Sequence, residues 1–367
     1  MKKKVLMLLS NEYRPDPRVY KEAAKLQAIG KNVTILCWNR RLEKEPITID
    51  DSGAKIKRLN TIKTTHKIIL PIGLFCFYLK AILHGLRERP DVVHAHDLDT
   101  LFPGLMISKI GRAHLVYDAH EHYSHMVSVD IGEKLSFFFD FIESLMVKRA
   151  GTVIAANDAI ASYLKSHTEE EITVIMNCIE NPGIHRFEVI NGPTIFYGGS
   201  LEPGRYIEET IDVVQQTPWL KMKIAGDGRL KEYVINSAKK CDRITFQGYV
   251  SHNDLLREMA SSTGILALLD PKIPNNIIGT PNRIFEAMAI GVPILASKGT
   301  LAGEIVKSAE AGLVIDMDKE NLIGAITVLS QESERNRLGD NGIKAYVTKY
   351  NWQIMGDRLA YLYDKIK

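Results

Sequence analysis

The sequence is poor in cysteine, with only Cys37, Cys76, Cys178 and Cys241. They stand far apart, with no C-x-x-C pair and no zinc-like spacing, so neither a zinc ribbon nor a disulfide framework is encoded. They read as reduced thiols of a cytoplasmic protein. A strong excess of one charge is also missing. The formal net charge is +3, which gives no argument for nucleic acid as a partner. Long apolar runs are absent as well. The stretch 5–9 ends at Ser10 and Asn11, too soon for the apolar region of a secretory signal. The longest apolar segment, 68–83, is broken by Pro71, Gly73 and Lys80. It falls short of the about 20 apolar residues that a bilayer-spanning helix needs, which leaves a peripheral contact at most.

What the sequence does contain is the composition of a soluble globular protein, 45% hydrophobic and 25% charged over 367 residues. That is enough chain for two domains of ordinary size. Apolar strand, turn and amphipathic helix repeat from end to end. In the first half, strands are expected at 4–9, 32–37, 55–59, 91–95, 114–117, 152–156 and 173–176. Several are near-continuous β-branched runs of the kind buried on both faces of a parallel sheet. Helical patterns lie at 18–29, closed by Gly30, and at 70–87, 134–150 and 159–166. The periodicity lapses over 181–193, where Asn181-Pro182-Gly183 and Asn191-Gly192-Pro193 mark a linker. It then resumes with strands at 194–197, 221–225, 243–247, 264–269, 292–296 and 312–315. Helices between them are clearest at 205–216 and 282–290, and the chain ends in three helical segments. The fold class is therefore α/β: two Rossmann-like domains, 1–180 and 190–350, facing a central cleft, with helix 352–367 packing back on the first. Ligands of such sheets bind beyond the carboxyl ends of the strands, so the loops there should carry the chemistry.

The most informative loop is Gly279-Thr280-Pro281-Asn282-Arg283, which leads into Ile284-Phe285-Glu286 and closes at Gly291-Val292-Pro293. Thr280 can cap a helix whose first residue is Pro281. Free N–H groups at Asn282 and Arg283, with the helix dipole, suit a diphosphate. Glu286, about a turn further on, suits a ribose diol. A well-capped core helix with a solvated glutamate would show the same spacing.

The stretch 283–293 resembles the donor-site signature of the family 4 (group 1) retaining glycosyltransferases, which have the GT-B fold. Three further segments resemble that family in order and spacing: Phe196-Tyr197-Gly198-Gly199-Ser200 with Glu202 to Arg205, Gly226-Asp227-Gly228, and Gly248-Tyr249-Val250. The resemblance implies that Glu286 binds the nucleotide ribose and Arg205 neutralises the diphosphate. Tyr249 and Val250 would hold the base through their backbone. Arg229 and Arg283 are weaker candidates for the anion. A guanidinium and helix N–H groups stabilise a leaving diphosphate without a metal, so no cofactor is expected. The family usually places a second glutamate two turns before Glu286, but Ile278 stands there. Its customary arginine in the strand-end loop is Gly199.

In the first half, Asp118-Ala119-His120-Glu121-His122 follows a strand. The resemblance assigns His120 to the donor sugar, where a neutral imidazole would meet a hydroxyl. His96 and Asp97, after the preceding strand, would shape the acceptor side, together with Arg14 and Arg18 of the first loop. Arg18 reads equally as a solvated helix residue. His94-x-His96 and His120-x-His122 also read as metal ligands of a hydrolase.

The expected reaction moves a hexose-like sugar from a UDP- or GDP-sugar to a hydroxyl of a glycan or lipid-linked acceptor, with retained configuration. A sugar-nucleotide 2-epimerase of the same fold and a non-catalytic nucleotide-sugar-binding protein are the alternatives. Basic residues around 68–83 (Lys63, His66, Lys67, Arg87 and Arg89) are compatible with transient contact with an anionic membrane. A helix buried in the first domain would explain the same segment.

Overall fold

The computed structural model describes residues 2–13, 16–42, 45–62, 70–126, 132–189 and 192–366. The chain divides into two α/β units, Met1–Asn177 with Met355–Lys367, and Cys178–Ile354.

The first unit is built on eight strands: β1 Lys4–Leu9, β2 Asn32–Asn39, β3 Ile47–Ile49, β4 Lys55–Asn60, β5 Val92–His96, β6 His114–Ala119, β7 Thr152–Ala155 and β8 Ile172–Val174. They are ordered β3-β4-β2-β1-β5-β6-β7-β8. Every pairing is parallel except the antiparallel β3–β4 edge. Val5 to Leu9 are all buried, as a strand covered by helices on both faces requires. From β1 the chain steps outward to β2 and β4, then crosses back to β5. The reversal puts a switch point between β1 and β5, where ligands of open α/β sheets bind.

The second unit repeats the plan with six strands: β9 Thr194–Gly198, β10 Lys221–Ala225, β11 Ile244–Phe246, β12 Gly264–Ala267, β13 Ile294–Ser297 and β14 Gly312–Ile315. Their order is β11-β10-β9-β12-β13-β14 and all pairings are parallel. Its switch point lies between β9 and β12, so the Gly198-Gly199 loop opens there. Ile195, Tyr197, Ile224 and Leu266 from the sheet pack with Ile211 and Val214 of helix Ile207–Gln216.

Several elements depart from the sequence reading. The three-residue β3 is unannounced by any apolar run. Helix Leu98–Gly111 carries Pro103 inside it, which masks it in a pattern search. The helix expected from 205 starts at Ile207, because Tyr206 adopts the left-handed conformation with φ 58°. The turn-rich 181–193 stretch is irregular, yet its described part is tied to the second unit. Arg186 and Phe187 donate their backbone N–H groups to Ile290 and Ala260, at 2.9 and 2.8 Å. In the last helix, Trp352–Lys365, the Tyr363 hydroxyl lies 2.8 Å from His94 Nδ1 and Asp357 pairs with Lys25 at 2.7 Å.

Leu70–Glu88 forms a 19-residue helix, longer than the broken apolar run suggests. Its mean hydropathy of 1.3 makes it long and apolar enough to cross a membrane by length and composition alone. It is also the crossover from β4 to β5. Only 22% of its apolar window is buried, so it is not the wholly buried helix that the sequence allowed. All four cysteines are free.

Candidate active site

In the second unit the candidate site is made by loops at the carboxyl ends of β9, β10 and β12. Gly199 (φ 143°) and Gly226 (φ 144°) adopt conformations that side-chain-bearing residues rarely reach. A Cβ at Gly226 would collide with the Gly199 carbonyl. The two loops are laced together: Gly199 N–H donates to Ala225 at 3.0 Å, and Leu201 N–H to Asp227 at 2.9 Å. Gly226 N–H donates to Gly248 at 2.8 Å, which brings in the loop carrying Tyr249 and Val250. Tyr249 itself is 87% exposed.

Arg283 lies beneath Gly199. A Cβ at 199 would sit 3.6 Å from its guanidinium. The guanidinium stacks over the Tyr197 ring at 4.4 Å and donates to the Leu266 carbonyl at 3.3 Å. Arg283 is buried, and among the described residues no carboxylate forms an ion pair with it. A buried guanidinium without a counter-ion is a standing attraction for an anion. It ranks above its place in the sequence reading for that reason. Arg229, the other weak candidate, is instead paired with Glu202 at the surface.

The helix following this loop runs Asn282–Ile290, as expected, and closes at Gly291 in the left-handed conformation with φ 85°. Its start differs from expectation. Pro281 is itself the cap, with extended backbone (ψ 134°), and no side chain caps the first turn. Thr280 therefore stands one residue outside the cap position it was expected to fill. The first-turn N–H groups of Asn282 and Arg283 are left uncapped by any side chain, the condition for an anion site. Glu286 sits a turn along, 8% exposed, with Oε1 2.9 Å from His252 Nε2. Arg205 lies half-buried on the bend before Ile207. That bend is held by Asn276, whose amide donates to Gly204 and Asp270 carbonyls at 3.3 and 3.1 Å. Ile278 closes the short helix Pro274–Ile278. His252 and Asn276 carry no motif of their own. Only contacts distant in sequence reveal them.

In the first unit the histidines gather by strand alternation. His94 and His96 lie two apart on β5, and Asp118 and His120 two apart at the end of β6. The register pairs His96 with Asp118, so all four share one face. Helix Pro17–Ala28 supplies Arg18 and Glu22, one turn apart, to the same cluster. Arg18 was expected to meet an acceptor or solvent, and its burial overturns the solvated reading. It is 4% exposed, donates to Asp118 at 2.6 Å and to the Ile175 carbonyl at 3.0 Å, and is ion-paired with Glu22 at 3.1 Å. Asp118 stays ionised: burial opposes that, and Arg18 and His120 outweigh it. Glu22 is pushed the other way, toward the neutral acid, by burial and by Asp118.

His120 sits at the open edge of this cluster, its side chain 16% exposed. Its backbone N–H donates to the Asp97 carboxylate at 2.8 Å. His96 Nδ1 lies 3.0 Å from its Nε2, Asp118 3.3 Å from Nε2 and Asp97 3.5 Å from Nδ1. Burial lowers its pKa, but Asp97 and Asp118 outweigh burial and push it up to about 9. That shift favours the imidazolium over the neutral imidazole expected from sequence. His96 is held neutral by burial and by its histidine neighbours. Asp97 has φ 62°, a conformation whose cost the His120 contact offsets. His96 and Asp97, expected on the acceptor side, both contact His120. Arg14 lies outside the described residues.

Glu22, His94, His96 and Asp118 present ligand-type atoms within 4.8 Å of one another, the set by which a metal would be held. His122 is not among them; its ring stacks on His125 and lies 3.0 Å from Ser124. The two carboxylates already share the Arg18 guanidinium, so their charge is met by a fixed cation.

Residues 185–345 match the family described as glycosyl transferases group 1, and residues 15–178 a glycosyl transferase 4-like domain. The chain belongs to the group 1 glycosyltransferases. Among its relatives, this glycosyltransferase is 24% identical to glycogen synthase of Mycobacterium tuberculosis over 291 residues, 75% of this chain and 69% of that protein. It is 24% identical over 190 residues to the alpha-D-kanosaminyltransferase of Streptomyces kanamyceticus, 49% of this chain and 48% of that one. Its fold is GT-B. The sucrose-phosphate synthase of Thermosynechococcus elongatus superposes with a TM-score of 0.83 at 16% identity, covering 100% of this chain and 99% of that one. Anabaena HepE in complex with UDP gives 0.73 at 17% identity, covering 99% and 100%.

Proposed function

We propose that this glycosyltransferase takes a hexose-like sugar from a UDP- or GDP-sugar and transfers it, with retained anomeric configuration, to a hydroxyl of a glycan or lipid-linked acceptor. The observation that carries this reading is the buried Arg283 guanidinium, without a carboxylate partner among the described residues, beside an uncapped helix start under two interlocked glycine loops. The diphosphate is assigned to the helix N–H groups of Asn282 and Arg283, the Arg283 guanidinium and Arg205. The ribose is assigned to Glu286 and the base to the backbone at Tyr249 and Val250. Negative charge develops on the departing diphosphate, and these fixed donors meet it without reorganisation. That supports a metal-independent reaction. Solved relatives bound to UDP and to UDP-glucose support a nucleotide-sugar donor.

In the first unit, which we assign to the acceptor, the His120 imidazolium is given to a hydroxyl of the transferred sugar, as a donor. In a retaining mechanism without an enzyme nucleophile, the acceptor proton passes to the diphosphate oxygen that leaves. We assign the protein to the cytoplasm, with transient contact at the inner face of an anionic membrane.

The test is incubation with a panel of UDP- and GDP-sugars, chelator present, followed by NMR of the products. Slow release of the α-anomer from an α-linked donor is the expected result. Epimer formation would identify a 2-epimerase, binding without turnover a non-catalytic protein, and loss of turnover with chelator a metal enzyme.

A further inference from the structure

The connections β4 to β5, β5 to β6 and β6 to β7 all step in one direction across the first sheet. Right-handed crossovers therefore lay their helices side by side on one face. These are Leu70–Glu88, Leu98–Gly111 and Glu133–Val147, each packed on the next. The Tyr78 and Phe102 rings, 5.7 Å apart, join the first two.

The outer surface of this layer is inverted relative to a water-facing one. Leu70–Glu88 seats on the sheet through Gly73, Phe77, Ala81 and Gly85. Its opposite side presents Phe75, Leu79 and Leu83, which are 60, 50 and 57% exposed. Glu133–Val147 turns its polar groups inward: Ser136 and Glu143 are buried, and Glu143 accepts from the Tyr117 and Tyr163 hydroxyls. Phe137, Phe138 and Phe141 face outward at 68, 54 and 58% exposed. Phe102, 43% exposed, lies on the helix between. A helix apolar on both sides needs cover from something other than its own core.

Charge indicates what covers it. Lys80, Arg87, Arg89, Lys109, Arg112, Lys148 and Arg149, on these helices and their ends, are all exposed. Among the described residues none forms an ion pair with a carboxylate. The described carboxylates of the same segments, Glu88, Asp99, Asp140 and Glu143, are buried or half-buried. A second copy of this chain would set cations against cations. An anionic bilayer meets both features at once, the rings at the acyl boundary and the cations at the headgroups.

We propose that this three-helix face is the surface by which the protein docks on an anionic lipid bilayer, with Phe137, Phe141, Phe75 and Leu79 entering the interface. The inference gives a place to the membrane contact in the proposed function and rests on that reading for its purpose alone.

The experiment is co-sedimentation of the full chain with vesicles of phosphatidylcholine, alone or mixed with phosphatidylglycerol. Binding to the mixed vesicles that weakens with salt is expected. The pairs F137S/F141S and K148E/R149E should each lower affinity by about tenfold or more while leaving the melting temperature unchanged. Absence of binding to mixed vesicles, or binding indifferent to both pairs, would overturn the proposal. So would sedimentation velocity showing a dimer that F137S/F141S dissolves. Donor hydrolysis in solution, read in parallel, should be unchanged in both variants. Its absence, with vesicle binding intact, would sink the transferase reading and leave the docking surface standing.

Discussion

Replacing Asp97 by asparagine tests how the first unit sets the charge on His120. The side-chain amide oxygen of the D97N variant can still accept the His120 backbone N–H, which Asp97 holds at 2.8 Å, so the loop should keep its shape. What is lost is a negative charge 3.5 Å from Nδ1. An opposite charge at such range raises a pKa by roughly 1–3 units, or on the order of 1–4 kcal/mol in favour of the imidazolium. His120, at about 9 in the native protein, should fall by that amount in D97N. The sign for stability follows. A pKa raised on folding contributes stability that is complete below the unfolded value of about 6.5 and disappears as pH rises through about 9. D97N should therefore lose stability relative to the native protein near neutral pH, and the gap should close as pH rises through about 9. Carbon-13 NMR of labelled histidine, with H120Q to assign the resonance, reads the titration directly, and urea unfolding reads the stability. A native His120 that titrates at its ordinary value, or one that D97N does not move, would refute the reasoning.

Four further outcomes follow from the same geometry. Arg18→Met removes the cation shared by Asp118 and Glu22 and should cost roughly 3–5 kcal/mol in urea unfolding; a change near zero would show that the pair is not buried as described. Gly226→Ala forces a Cβ against the Gly199 carbonyl, so nucleotide binding should weaken at least tenfold with about 1–3 kcal/mol of stability lost. Arg205→Ala should lower kcat for donor hydrolysis by about 10²–10³-fold, with little change in melting temperature. Glu286→Ala should weaken UDP or GDP binding by roughly tenfold without altering the sugar preference, measured by calorimetry and by the donor panel.

Local chemistry made much of the fold legible. β1, β10 and β14 are bounded as their apolar runs indicate, and helix Asn282–Ile290 lies between Pro281 and Gly291 as those residues dictate. β3 was not legible, because three residues paired on one side need no apolar run. Helix Leu98–Gly111 was hidden by Pro103 and by an apolar composition that shows no single stripe. The donor-side loops could be read from their glycines, but not the rank of Arg283, which depends on what fails to neutralise it. The largest gap is Arg18. Its partner Asp118 is a hundred residues away, and only strand register and helix packing turn a solvated-looking arginine into a buried ion pair. That His120 follows a strand was legible, while its charge state depends on Asp97 and Asp118 in three dimensions.

The central claim is that the second unit holds a nucleotide diphosphate through Arg283 and the helix beginning at Asn282. Isothermal titration of the full chain with UDP and with GDP, in the presence of chelator, tests it most directly. The account predicts saturable binding of at least one of the two, lost in R283A while the folded state persists by circular dichroism. Failure of both nucleotides to bind, or binding unchanged in R283A, would contradict it.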